Sequence, residues 1–138
     1  MRYVRLGTIT ATLALGTAAA LGAQGAALAA PTGLVDAASK TVKAMVKDIG
    51  LVVPARCVVA EQARSDRTWA AYSAKSARNC NPGDGYTVAH RSNGVWKALP
   101  IGGSSGTCSD LKAKLADAGA PNAVYRDFRA GKLCVKGE

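Results

Sequence analysis

Aromatic side chains are scarce in this chain: one phenylalanine, two tryptophans and four tyrosines in 138 residues. A surface that stacks successive bases of a nucleic acid interleaves exposed aromatics with a basic stripe. The basic residues here fall singly or in pairs from Lys40 to Lys136, with no run of four, so sequence-specific nucleic-acid recognition is not expected. Acidic side chains are also few, nine in all, and Glu61 is the only glutamate before the last residue. A calcium site takes six to eight oxygens, more than Asn79, Asn81 and Asp84 supply, so that segment reads as a turn. There is one histidine, His90, and neighbouring cysteines are separated by 23, 28 and 26 residues, which excludes the common zinc spacings. Neither a metal nor a cofactor is expected. Gly102, Gly103 and Gly106 come without a following Gly-Lys-Ser or Gly-Lys-Thr, so they do not make a phosphate loop, and no Gly-x-Ser-x-Gly marks a serine nucleophile.

Long apolar runs are absent after the first 29 residues, and within those 29 one is present. Arg2 and Arg5 precede an uncharged stretch from Leu6 to Ala23, and Ala27-Leu28-Ala29 has the small-residue pattern of a signal-peptide cleavage site. An uncleaved membrane anchor is the competing reading. Threonine, glycine and alanine dilute the run, and an A-x-A site follows it where an anchor carries a basic stop. No cysteine lies in or beside the run for lipid attachment. Cleavage after Ala29 predicts a secreted or cell-wall-associated chain, without a spanning helix, that starts at Ala30. Its 109 residues suffice for one domain and not for two independent cores.

Export changes the reading of Cys57, Cys80, Cys108 and Cys134 from metal ligands to two disulfides. Four cysteines allow three connectivities. The local pairing, Cys57–Cys80 with Cys108–Cys134, is favoured because each bridge then closes one half of the domain. Loss of Arg2 and Arg5 lowers the formal charge from +9 to +7. Such a surplus biases encounter with wall polymers, anionic lipid headgroups and released nucleic acid, and it also serves solubility.

Leu34, Ala38, Val42, Met45, Val46 and Ile49 repeat at helical spacing with Lys40, Lys43 and Lys47 on the other side. This predicts a helix over 34–48 within an N-terminal segment, residues 30–56, that precedes a disulfide-linked core over 57–138. Gly50 and Pro54 end it. Lacking Trp or Phe on its apolar face, the helix is expected to pack on its own domain and not to lie in a membrane surface. Strands follow from Val58 and over Thr68–Tyr72 around a turn at 64–67, then Tyr86–Arg91 and Val95–Leu99 around Ser92-Asn93-Gly94. A two-residue Asn93-Gly94 turn pairs Ser92 with Val95 and sets Trp96 on the face away from Tyr86 and Val88. A three-residue turn with a bulge pairs Arg91 with Val95 and brings Trp96 onto the face of Tyr86, Val88 and His90. The second is favoured, because it gathers the apolar side chains. Residues 102–106 read as a flexible connector. A short helix capped by Ser109 or Asp110 then stops at Gly119, and a last helix runs from Pro121 to Gly131. The expected fold is α+β: a small antiparallel four-stranded sheet, an N-terminal helix and two short C-terminal helices.

Three functions follow from these residues. The leading one is a non-enzymatic exported protein that binds an anionic cell-envelope polymer or an extracellular protein. The second is an inhibitor of a secreted hydrolase, presenting Ser104, Ser105, Gly106 and Thr107 beside Cys108 as a constrained loop. The third is a small secreted ribonuclease with Glu61 and His90 as base and acid and Arg67 or Arg91 on the phosphate.

Trp69-Ala70, Cys80-x-Pro82-Gly83-Asp84-Gly85-Tyr86, Gly94-x-Trp96-Lys97, Gly103-Ser104-x-Gly106-x-Cys108 and Pro121-x-Ala123-Val124-x-x-Asp127-Phe128 together resemble small secreted actinobacterial proteins of unknown function. The likeness covers roughly residues 57–134. It implies export, this order of elements and a Cys108–Cys134 bridge, and it implies no activity.

Overall fold

The computed structural model describes residues 31–104 and 106–137; the signal peptide expected over 1–29 lies outside them, as does Ser105. Five strands form one antiparallel meander in chain order: β1 (Leu34–Asp36), β2 (Val58–Ala63), β3 (Trp69–Ala74), β4 (Tyr86–Ser92) and β5 (Val95–Gly103). Helix α1 (Ser39–Ile49) follows β1, and α2 (Cys108–Asp117) and α3 (Asn122–Ala130) follow β5. A single 3-10 turn, Ala55–Cys57, leads into β2.

The α+β class holds, with five strands in place of four. The additional strand comes from the start of the segment expected to be helical. Leu34, Val35 and Asp36 pair with Ala63, Gln62 and Glu61, and Ala38 is the residue before the first turn of α1. Leu34 packs among the side chains of the α2–α3 core, while Val42 and Met45 are buried on the opposite side of the sheet. One helix cannot serve two faces of a sheet, so the helical period is real only from Ser39 onward. Gly50 ends α1 in the left-handed conformation (φ 76°), as its place in the sequence predicts.

Side chains alternate across the strands, and both faces are covered. On one face Ala60, Ala70 and Ala89 are small enough for α1 to approach closely, and Met45, Val42, Val58 and Trp96 fill the remaining space. On the other, Trp69, Val88, Ala63 and Ile101 pack against Leu111, Leu115, Val124 and Phe128 of α2 and α3. This arrangement corrects the favoured hairpin register. Ser92 pairs with Val95 and Arg91 with Trp96 around a two-residue turn in which Asn93 and Gly94 both have positive φ (51° and 79°). Trp96 thus lies away from Val88, and it needs no bulge to be buried because α1 covers that face. The irregularity falls further on: Leu99, Pro100 and Ile101 stand opposite Val88 alone, a place where proline's missing N–H breaks no ladder bond. Gly102 and Gly103 belong to β5, paired with Thr87 and Tyr86, and not to a flexible connector. Gly102 (φ 154°) lies so close to the Tyr86 carbonyl that a Cβ has no room.

Two disulfides close the structure, Cys57 with Cys80 and Cys108 with Cys134. Thr107, not Ser109 or Asp110, caps α2, its Oγ1 accepting from the Asp110 amide at 3.2 Å.

The buried polar anchor is Asp127 on α3, 1% exposed. Its carboxylate accepts from the Gly33 amide (2.9 Å), the Ser65 amide (2.7 Å) and the Ser65 hydroxyl (2.6 Å). Burial pushes its pKa up, but the two Ser65 bonds, the Gly33 bond and the charge of Arg126 outweigh burial and hold the carboxyl below the ordinary aspartate range. Because the folded pKa lies below the unfolded value of about 3.9, the stabilisation is complete above roughly pH 4 and is lost as pH falls through the folded pKa. Asp127→Ala should cost about 3 kcal/mol in urea unfolding at pH 7, since it orphans two backbone amides. The wild-type midpoint should fall in acid below about pH 4, and that of Asp127→Asn should fall less.

Candidate functional site

The residues of the ribonuclease reading are divided by the pleat. His90 and Arg91 are neighbours on β4 and point to opposite faces. The imidazole of His90 stacks on Trp69, its cross-strand partner, with ring centroids 4.0 Å apart and planes at 17°. Arg91 lies opposite Trp96 on the α1 face, and its Nε donates to the Gly94 carbonyl at 3.4 Å. Glu61 shares the His90 face but stands in the row of Ala71 and Val88, two strands from β4, a lateral separation of about 10 Å. Arg67 is in the β2–β3 turn, where its carbonyl accepts from Gln62 Nε2 at 2.7 Å. The pleat thus sets Arg91 on the face opposite Glu61 and His90, and two strand spacings separate Glu61 from His90.

The segment read as an inhibitor loop is held at both ends. Gly103 is in β5, the Gly106 carbonyl accepts from the Val135 amide, and the Thr107 side chain is engaged as a helix cap. Ser104 is exposed. The turn of Asn79, Asn81 and Asp84 forms no metal cluster, and none occurs among the described residues. Tyr86, beside this turn, has its phenol pushed up by burial and then by the charge of Asp110, so it remains a neutral hydroxyl.

A different set of side chains does converge. A hollow of about 640 Å³ opens beside the first turn of α2, lined by Thr107, Cys108, Ser109, Lys112, Tyr125, Arg129, Lys136 and Gly137. Three elements supply its cations: Lys112 from α2, Arg129 from the last turn of α3 and Lys136 from the C-terminal segment. That segment is held in place by the Cys108–Cys134 bridge and by a parallel bridge between Thr107 and Val135, in which the Cys108 amide donates to the Val135 carbonyl at 2.9 Å. Lys112 Nζ sits 5.7 Å from the centre of the Tyr125 ring. The described lining contains no carboxylate, and the one ion pair among the described residues, Lys114–Asp110, lies outside it. The Cys108, Asp110 and Leu111 amides already have partners, so the hollow's affinity for anions rests mainly on its three cations.

The scattered lysines and arginines hid this site. Lys112, Arg129 and Lys136 are 17 and 7 residues apart in sequence, and only the packing of α2 on α3 and the second disulfide bring them to one rim. Comparison with protein-family models, with curated proteins and with solved structures finds no match.

Replacing His90 by alanine should cost about 0.5–1.5 kcal/mol in urea unfolding, the range for a stacked aromatic pair. A larger loss would mean that the imidazole does more in the core than stack on Trp69.

Proposed function

We propose that this is an exported, non-enzymatic protein that binds an anionic polymer of the cell envelope through the basic hollow between α2, α3 and the C-terminal segment. The observation that carries the reading is the convergence of Lys112, Arg129 and Lys136 on a concave surface with no carboxylate in its described lining. A polymer with phosphate or carboxylate groups at regular intervals would meet several cations at once, and each weak exposed contact would add to the next. The two disulfides and the absence of a membrane-spanning helix among the described residues agree with a place outside the cytoplasm. The non-enzymatic reading is supported by the separation of Glu61, His90 and Arg91 and by the stacking that engages His90.

The test is co-sedimentation of the mature protein with intact bacterial cell walls at increasing salt. Binding should be measurable at low ionic strength and fall as screening shortens the reach of the charges. Replacing Lys112, Arg129 and Lys136 together by alanine should weaken it about tenfold, three contacts at about 0.5 kcal/mol each. All three are exposed, so the thermal midpoint should be nearly unchanged. No sedimentation at low salt, or undiminished sedimentation of the triple variant, would remove the proposal. RNA incubated with the protein should stay intact; cleavage that disappears in His90→Gln would restore the ribonuclease reading.

A further inference from the structure

At the carboxyl end of α1 the chain does something that a small domain short of large apolar side chains has no packing reason to do: it sets one valine wholly in solvent, with a second, partly covered, beside it. Gly50 turns the chain out of the helix, Leu51 turns inward against the α1 core, and Pro54 begins the 3-10 turn. Between them Val52 is 104% exposed and Val53 38%. Beside Val53 lies a hollow of about 230 Å³ lined by Leu51, Val58 and Tyr72 as well, so the apolar surface continues from the tip into the face of the sheet.

The segments that adjoin this tip carry cations. Lys47 is in the last turn of α1 and Arg56 is in the 3-10 turn. Lys75 and Arg78 are brought beside them because the Lys75 amide donates to the Cys57 carbonyl at 2.7 Å and Cys80 is bonded to Cys57. All four side chains are exposed, and none forms an ion pair among the described residues. Two carboxylates lie at this end. Asp48 Oδ2 accepts from the Trp96 amide at 3.1 Å, and Asp84 lines the hollow.

We infer that the Val52-Val53 tip docks this protein on an anionic lipid bilayer, the valines entering the acyl boundary while Lys47, Arg56, Lys75 and Arg78 meet the headgroups. Apolar contact alone from two valines is marginal, and exposed cations alone bind weakly and without orientation. An apolar tip with four cations on the adjoining segments combines the two contributions that stable membrane attachment needs. Tyr72, with an apolar ring and a polar hydroxyl, suits the boundary between them. This surface shares no residue with the basic hollow beside α2, so the two proposals stand or fall separately.

The experiment is sedimentation of the mature protein with vesicles of phosphatidylcholine alone and with vesicles containing phosphatidylglycerol. Binding is expected to the second and not to the first. Val52→Asp should reduce it at least tenfold, and Arg56→Ala and Arg78→Ala about fivefold each. Val52→Trp supplies a direct reading of insertion, because Trp69 and Trp96 are both buried: the emission of the introduced indole should shift to the blue on phosphatidylglycerol vesicles and stay unshifted on phosphatidylcholine. Absence of binding to either vesicle overturns the inference. So does binding that Val52→Asp leaves intact, or an emission of the Val52→Trp variant that does not move on phosphatidylglycerol. Cell-wall binding by Val52→Asp should equal that of wild type, which separates failure here from failure of the polymer reading.

Discussion

One carboxylate holds three distant parts of the chain together. Asp127 on α3 receives hydrogen bonds from Gly33, at the entrance to β1, and from Ser65, in the turn between β2 and β3. β1 is three residues long and forms a sheet edge, so its own ladder contributes little. Its position depends on the Gly33 bond and on Leu34, which lies close against Gly131 at the end of α3. A buried charge is tolerable only when its lone pairs are satisfied, and here three donors and the nearby Arg126 meet that condition.

With that anchor in place, the sheet can be covered on both sides by a chain containing a single phenylalanine. Each face has one tryptophan, Trp69 toward α2 and α3 and Trp96 toward α1. Alanines at 60, 70 and 89 keep the α1 side shallow, so Met45, two valines and one indole suffice to fill it. The Asp48 bond to the Trp96 amide fixes the end of α1 over β5. Gly50 then turns the chain out of the helix, Leu51 packs back against the core, and Val52 beyond it stands fully exposed, which is how the apolar tip comes to project.

Charge is distributed by the same construction. The two disulfides each bring a short, exposed segment against a neighbouring element, and each segment carries cations: Lys75 and Arg78 beside Arg56, and Lys136 beside Lys112 and Arg129. With nine acidic residues in the chain, and Asp127 buried, few carboxylates are left to neutralise those cations. A basic surplus that is diffuse along the sequence thereby becomes local at two places.

The sequence by itself determined what depends on neighbours along the chain. The stop of α1 at Gly50, the hairpin around Asn93-Gly94, the Pro121 entry to α3 and the α+β class are all written in local spacing and turn chemistry. Tertiary structure alone decided which face each strand residue meets. Leu34 fits a helical repeat as well as a strand, and it became a strand because Ala63 offered a pairing edge and α3 a place for its side chain. Trp96 suited either register, and it took the one in which α1 covers it. The basic hollow has no local signature, because its three cations belong to three elements, and only helix packing and a disulfide between distant cysteines bring charges from separate segments within reach of one ligand.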